Sequence, residues 1–375
     1  MNALKKGKMK VGTITQFLEK WAPLSLQESY DNAGLLVGQA DWECTGVLCC
    51  LDVTEAVLAE AKSKNCNLIV AHHPVIFGGL KRITASSATE RLVATAIKND
   101  LAIYAIHTNL DNILDGVNGK IATLLGLKNC RVLLPQADSL KKLVTYVPVA
   151  SIQKVQNALF EAGAGQVGKY SECSFSSVGE GTFKGGLDTN PYVGQPGIRH
   201  TETESRLEVI LQSSNLSEVL RALRASHPYE EIAYDLLSLD NPNNQVGAGL
   251  VGELEQPVEE SVFLKKLSVL FKVPLVRHTP LIGKPIQQVA VCGGAGQFLI
   301  KNALKAGAQV FITADLKYHD FFLADGKLLL ADVGHFESEQ FTIDLLQERI
   351  AEKFPTFAVL KTSVSTNPVN YLWHK

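Results

Sequence analysis

The chain has 375 residues, 46% of them hydrophobic, and 36 lysines and arginines against 38 aspartates and glutamates leave a formal charge of −2. That length holds more than one domain and a large core, and the dispersed, balanced charge offers no source of attraction to nucleic acid or an anionic membrane surface. The basic Met1–Lys10 stretch lacks the apolar run and cleavage site of a leader, and no apolar run reaches the roughly 18 residues of a membrane span, so the reading is a cytoplasmic protein whose partner is a small polar molecule or another protein.

In chain order, Val47-Leu-Cys-Cys-Leu51 predicts a strand, Glu55 to Lys64 a helix, Asn67-Leu-Ile-Val-Ala71 a strand, Ala88 to Asn99 a helix and Leu101 to Ile106 a strand. From about residue 136 to 245 the pattern changes. Leu143 to Pro148 predicts a strand, Ile152 to Gly163 a helix, 164 to 200 is rich in Gly, Ser and Asn, and Arg206 to Leu211, Leu216 to Ser226 and Glu231 to Leu237 follow as strand, helix and strand. This is a β-α-β-β-α-β order, the mark of a ferredoxin-like α+β domain, with Pro242 and Asn243-Asn244 as the return linker. The earlier order then resumes: strand Val289 to Cys292, helix Gln297 to Ala306, strand Gln309 to Thr313, helical Lys317 to Leu323 and strand Leu328 to Val333.

Val47 and Leu68 are 21 residues apart, as are Val289 and Val310. The expected fold is therefore α/β, a pseudo-duplicated core over residues 1–135 and 246–375 interrupted by an insert over 136–245. In this duplication His72-His73 corresponds to the region from Ala314-Asp315 through His319, and Thr108–Asp111 to Gly334–Glu337. The alternative is that any two βαβ units look alike. The seven cysteines, with no CxxC pair and mostly inside apolar runs, read as reduced core residues.

Residue types that ligate metals sit just after the apolar runs: His72 and His73, Asp111, and His335 with Glu339. Strand carboxyl ends line the crevice of an open α/β sheet, where ligands bind, so these residues converge on one site for one or two divalent cations. Successive side chains on a strand point to opposite faces, which argues that His72 and His73 serve two ions side by side, with Asp111 or Glu339 bridging. Ions in such a pair, about 3.5 to 4 Å apart, acidify bound water for hydrolytic displacement. Each residue also has a plainer reading: a satisfied loop for the histidine pair, a turn residue for Asp111, and first-turn acids complementing a helix dipole for Glu337 and Glu339 in the amphipathic stretch from Phe336 to Leu346. His107, His319 and Asp315 read as partners orienting a ligand or as ordinary polar residues. Gly293-Gly-Ala-Gly296 is not GxGxxG and reads as a tight turn; His227-Pro-Tyr-Glu-Glu231 reads as a helix-to-strand connection.

Six motifs then carry a resemblance: Tyr30-Asp-Asn-Ala-Gly-Leu-Leu-Val-Gly38, Ala71-His-His-Pro74, His107-Thr-Asn-Leu-Asp111, Cys292-Gly-Gly-Ala-Gly296, Thr313-Ala-Asp-Leu-Lys-Tyr-His319 and Gly334-His-Phe-Glu-Ser-Glu339. In this order they resemble the GTP cyclohydrolase 1 type 2 homologues, or Nif-three-like proteins. The middle resembles the insert of the longer bacterial members through Gly168-Lys-Tyr170, Cys173, Gly179-Glu-Gly-Thr-Phe183, Asn190-Pro-Tyr-Val-Gly194 and His227-Pro-Tyr-Glu-Glu231, an insert similar in fold to PII and CutA proteins. The resemblance implies a two-metal centre on His72, His73, Asp111, His335 and Glu339, and a toroidal homohexamer.

Two functions follow as expectations. The first is a metal-dependent hydrolase in which metal-activated water attacks a small substrate, a purine nucleotide or phosphoester, with His319 or Glu337 as proton shuttle. Zinc is the first choice of ion, and mixed His and carboxylate donors also accept manganese, iron or cobalt. The second is a non-enzymatic, metal-holding scaffold whose PII-like insert binds an effector or partner.

Overall fold

The computed structural model describes residues 8–372, so the basic N-terminal stretch up to Gly7 lies outside the described residues. The chain divides into two compact units, Met1–Pro135 with Asn244–Lys375, and Gln136–Asn243.

Before the insert come β1 (Gly34–Val37), β2 (Val47–Cys50), β3 (Leu68–Ala71), β4 (Ala102–Ala105) and β5 (Lys128–Pro135), with α1 (Val11–Trp21), α2 (Glu55–Ser63), α3 (Ala88–Lys98), α4 (Thr108–Asp111) and α5 (Val117–Leu125). The insert holds β6 (Leu140–Pro148), α6 (Ile152–Glu161), β7 (Ser174–Lys184), β8 (Arg199–Gln212), α7 (Leu216–Ser226) and β9 (Tyr234–Ser238). After it follow β10 (Gly247–Val258), α8 (Glu260–Phe271), β11 (Arg277–His278), β12 (Ile286–Ala295), α9 (Ile300–Lys305) and β13 (Val310–Ala314). The chain continues with β14 (Leu329–Asp332), α10 (His335–Glu339), α11 (Thr342–Lys353) and β15 (Val359–Lys361).

The first unit contains two sheets, ordered β1-β4-β3-β2-β15 and β11-β14-β13-β12-β10-β5. In each, three consecutive strands run parallel and the strand that precedes them pairs antiparallel with the third. The shared 21-residue spacing is the register itself: Val47 lies opposite Leu68 and Val289 opposite Val310.

Each central strand is buried on both faces, which is why it reads as a continuous apolar run. Alternation divides the labour. Val47 and Cys49, with Val289 and Val291, meet in a core shared with α1, α5, α8 and α11, whereas Leu48 and Cys50 pack under α2 and α3, and Ala290 and Cys292 under α9. Thr54 and Ser87 cap α2 and α3 by accepting the backbone N–H of Val57 and Glu90.

In the insert, one antiparallel sheet ordered β7-β8-β6-β9 carries α6 and α7 on one face, through Val155, Leu159, Val219 and Leu223 against Leu143, Val147, Leu207 and Val209. Among the described residues no helix is long and apolar enough to cross a membrane. All seven cysteines are free thiols; five are buried, while Cys130 and Cys173 are partly exposed.

Four expectations need revision. The Gly, Ser and Asn-rich stretch contains β7, hidden because its residues are almost all exposed and its apolar ones, Phe175, Val178 and Phe183, do not recur at a spacing of two. The segment from Lys317 forms a 3-10 helix over Tyr318–Ala324, and the amphipathic stretch after Gly334 is two helices, α10 and α11. Finally, β4 and β14 align Ala102 with Leu329, which sets Thr108 against His335, the first residues of α4 and α10. The helical turns after these strands therefore correspond one residue later than expected.

Candidate metal centre

The parallel ladder runs past the end of β3: His72 N–H donates to Cys50 O at 3.2 Å and His73 N–H to Leu51 O at 2.9 Å. Because β3 itself ends at Ala71, strict alternation does not reach the histidine pair. Their rings lie on one side, with centroids 4.9 Å apart and a 43° tilt, which corrects the expectation of opposite faces.

They nevertheless address different atoms. The Glu339 carboxylate stands between two groups of donors. Its Oε2 is 2.9 Å from His73 Nε2 and 3.1 Å from His335 Nε2, while Oε1 is 3.9 Å from His72 Nε2. Asp111 Oδ1 lies 3.7 Å from His72 Nε2 on that same side. Among the described residues, neither His72 Nε2 nor Asp111 Oδ1, both buried, has a hydrogen-bond partner, a costly state for polar atoms that a cation would relieve.

The ring orientations follow one rule. His72 Nδ1 bonds Ile106 O at 2.8 Å, His73 Nδ1 bonds Asp52 Oδ1 at 2.7 Å, His107 Nδ1 bonds Asp31 Oδ1 at 2.8 Å and His335 Nδ1 bonds Asp315 Oδ2 at 2.7 Å. A ring that donates through Nδ1 presents the Nε2 lone pair to the site, the arrangement that orients metal-ligating histidines.

Electrostatics agree. Burial pushes the Asp111 carboxyl up, outweighing the opposing influence of His72 and His73. Burial also opposes a charge on His73, but hydrogen bonds to Asp52 and Glu339 outweigh it and push that imidazole up to about 10. Glu339 pushes His335 up to about 9, against burial. Desolvation acts against the charge of buried Glu339, and its histidine partners nevertheless hold the carboxyl well below the usual range.

The five expected residues thus come together, from the turn after β3, from α4 and from α10. Of the expected proton shuttles, Glu337 is buried and lines a cleft of about 490 Å³ that also contains His73, His335, Arg277 and Asp52. Asn367 Nδ2 donates to Glu337 Oε1 at 2.9 Å. His319 is exposed, its ring against Tyr318 and Phe322, and lines neither this cleft nor the donor groups.

His107 is the larger miss. Its donor atom gathers with those of His72 and His73 within 4.8 Å, although in sequence it reads as a weaker residue than Asp111. The residue at the end of β4 carried the same signal as His72, a histidine just beyond an apolar run. Asp52, just beyond the run Val47 to Leu51, carries it too, although an acid at such a place is also common in turns for local hydrogen bonding.

A profile of the Duf34/NIF3 (NGG1p interacting factor 3) family matches residues 9–368. A Halalkalibacterium halodurans protein named GTP cyclohydrolase 1 type 2 homolog is 40% identical over 366 residues, covering 96% of this chain and 98% of that protein. A Bacillus subtilis protein of the same name is 35% identical over 372 residues, covering 96% and 98%. The crystal structure of a Bacillus cereus protein related to NIF3 superposes with a TM-score of 0.83 at 35% identity, over 98% of this chain and 100% of that one.

Proposed function

The chain belongs to the Duf34/NIF3 family, and on that premise we propose that it is a hydrolase with a dinuclear metal centre. The observation that carries this reading is the single Glu339 carboxylate, whose two oxygens face two different donor groups. In it, His72 and Asp111 would hold one divalent ion and His73 and His335 the other, with a Glu339 carboxylate oxygen available to each. Zinc suits these donors, and manganese, iron or cobalt are accepted by the same set. When bound, such ions supply Lewis acidity, polarising a substrate oxygen and acidifying water.

The chain's own residues do the rest. Asp52 and Asp315 hold the His73 and His335 rings in place. Glu337, in the adjoining cleft, accepts or returns a proton at its carboxylate. Half-exposed Arg277, held by Asp332 at 3.2 Å and by Leu316 O at 2.6 Å, faces the cleft among the carboxylates of Asp52, Asp315 and Glu337, so selection of an anionic substrate such as a nucleotide or phosphoester would rest on the bound ions together with this guanidinium. The name shared by the relatives, GTP cyclohydrolase 1 type 2 homolog, points the first assays to purine nucleotides.

The same reading takes the insert as a ferredoxin-like domain of PII/CutA type, supported by its β-α-β-β-α-β order, and the protein as a cytoplasmic homohexamer. Purified protein reloaded with zinc or manganese and offered nucleotides and phosphoesters is expected to turn one over. Chelation and Glu339→Gln should remove that turnover, Glu337→Gln should lower it at least tenfold, and His319→Ala should leave it intact. Fully loaded protein that turns over none of them contradicts the hydrolase reading.

A further inference from the structure

Three segments with no part in the metal centre line one cleft of about 720 Å³ in the insert: Gly179 to Phe183, Pro191-Tyr192 and Tyr229 to Glu231. Strand parity places it on the sheet face opposite α6 and α7. On β8, Leu207 and Val209 pack under the helices, so Glu204 and Arg206, of the other parity, project from the open face. In register, Gly179 lies opposite Glu204, Gly181 opposite Glu202 and Phe183 opposite His200, so these β7 positions share that face.

The two glycines act differently. A Cβ at Gly181 would collide with Glu204 Oε2, so glycine there leaves the carboxylate its place. At Gly179 a Cβ would meet nothing within 4 Å, so glycine there leaves cleft volume open.

Glu204 is only 8% exposed. The Tyr229 hydroxyl donates to its Oε1 at 2.7 Å, and among the described residues its Oε2 receives no hydrogen bond. Burial and the Glu204 carboxylate push the Tyr229 hydroxyl upward, so it stays a donor. The Tyr229 ring stands 6.0 Å from that of Phe183 and 6.2 Å from that of Tyr192, an angular aromatic wall. Glu180, Glu204, Glu230 and Glu231 outnumber Lys184 and Arg206 around the cleft, and the Arg206 guanidinium is engaged by Glu208 at 2.9 Å. A buried, acceptor-only carboxylate with a spare oxygen beside aromatic faces selects a cation that carries N–H donors.

We infer that this cleft is a binding site for a small organic cation, an amidinium, guanidinium or primary ammonium on an apolar body. The charged nitrogen sits on Glu204 Oε2 and the body lies against Tyr229 and Phe183. This site is independent of the metal centre.

Isothermal titration calorimetry of the full chain with benzamidine, agmatine and spermidine, and with GTP as the anionic control, tests it. The expected result is saturable binding of at least one of these cations at one per chain, weakened tenfold or more by Glu204→Gln and abolished by Gly179→Leu, whose Cβ meets no neighbour within 4 Å and whose side chain occupies cleft volume. Glu339→Gln should leave the affinity unchanged, which separates this site from the metal reading. A circular dichroism melt of Gly179→Leu that matches the parent keeps the test valid if Glu204→Gln fails to fold. Absence of binding by all three cations, cation binding undiminished by Gly179→Leu, or a preference for GTP that Gly179→Leu removes would each overturn the proposal.

Discussion

The two βαβ halves of the core share a topology and a register, yet they furnish the centre in opposite ways. In the first half the central strand β3 leads into His73, and the carboxylate that orients it, Asp52, follows the neighbouring strand β2. In the second half the position equivalent to His73, after β13, is the carboxylate Asp315, and the histidine it orients, His335, opens α10. The position equivalent to Asp52 is Gly294, where any Cβ would run into Glu339 Oε1. Two halves of like topology thus bring a histidine and a carboxylate together twice with the roles exchanged, and the second half has no side chain at Gly294, which leaves room for the carboxylate that both donor groups face.

Making the halves alike at that point should do the most damage. Gly294 has φ +62°, so Gly294→Asp adds backbone strain of about 1–3 kcal/mol and displaces Glu339 from both donor groups. The expected outcome is loss of at least one retained ion by elemental analysis, in a chain that still melts cooperatively. Full retention would mean that Glu339 does not occupy the shared position.

The exchange of roles is sharpened by removing each orienting carboxylate in turn. Asp52→Asn and Asp315→Asn should each weaken metal binding by about 10- to 100-fold, the usual effect of losing a partner that orients a ligand, as read by competition with a chromophoric chelator. Effects of similar size support equivalent roles; an effect from one alone breaks the equivalence.

The smallest effect is on pH. In metal-free protein His73 is pushed up to about 10 and His335 to about 9, above the ordinary histidine value of about 6.5. Their contribution to stability is complete below the ordinary value and is lost as pH rises through the folded values. The metal-free melting temperature should therefore fall by a few °C, order of magnitude, between about pH 7 and 10. The stabilisation gained on adding metal should grow over the same range, since fewer protons need be displaced.

The parallel trios were legible because strands buried on both faces appear as apolar runs, and the 21-residue repeat survived as register. β7 was illegible for the converse reason: its apolar residues Phe175, Val178 and Phe183 stand three and five residues apart and the first two are exposed, so no period of two marks it in the sequence. The ligand-type residues stood out because they break an apolar run abruptly. Asp52 and Asp31 did not, since a carboxylate in a turn looks the same whether it caps a backbone or orients an imidazole. Only the fold brings Asp31 to His107, 76 residues away.

In the proposed centre one glutamate, Glu339, faces both donor groups. Metal per chain, measured by mass spectrometry on protein reloaded with zinc and freed of loosely bound ions, tests it most directly. Two ions per chain in the parent, falling below one in Glu339→Gln, is the predicted result. Two ions retained in Glu339→Gln, or a single ion in the parent that survives His72→Ala, would contradict it.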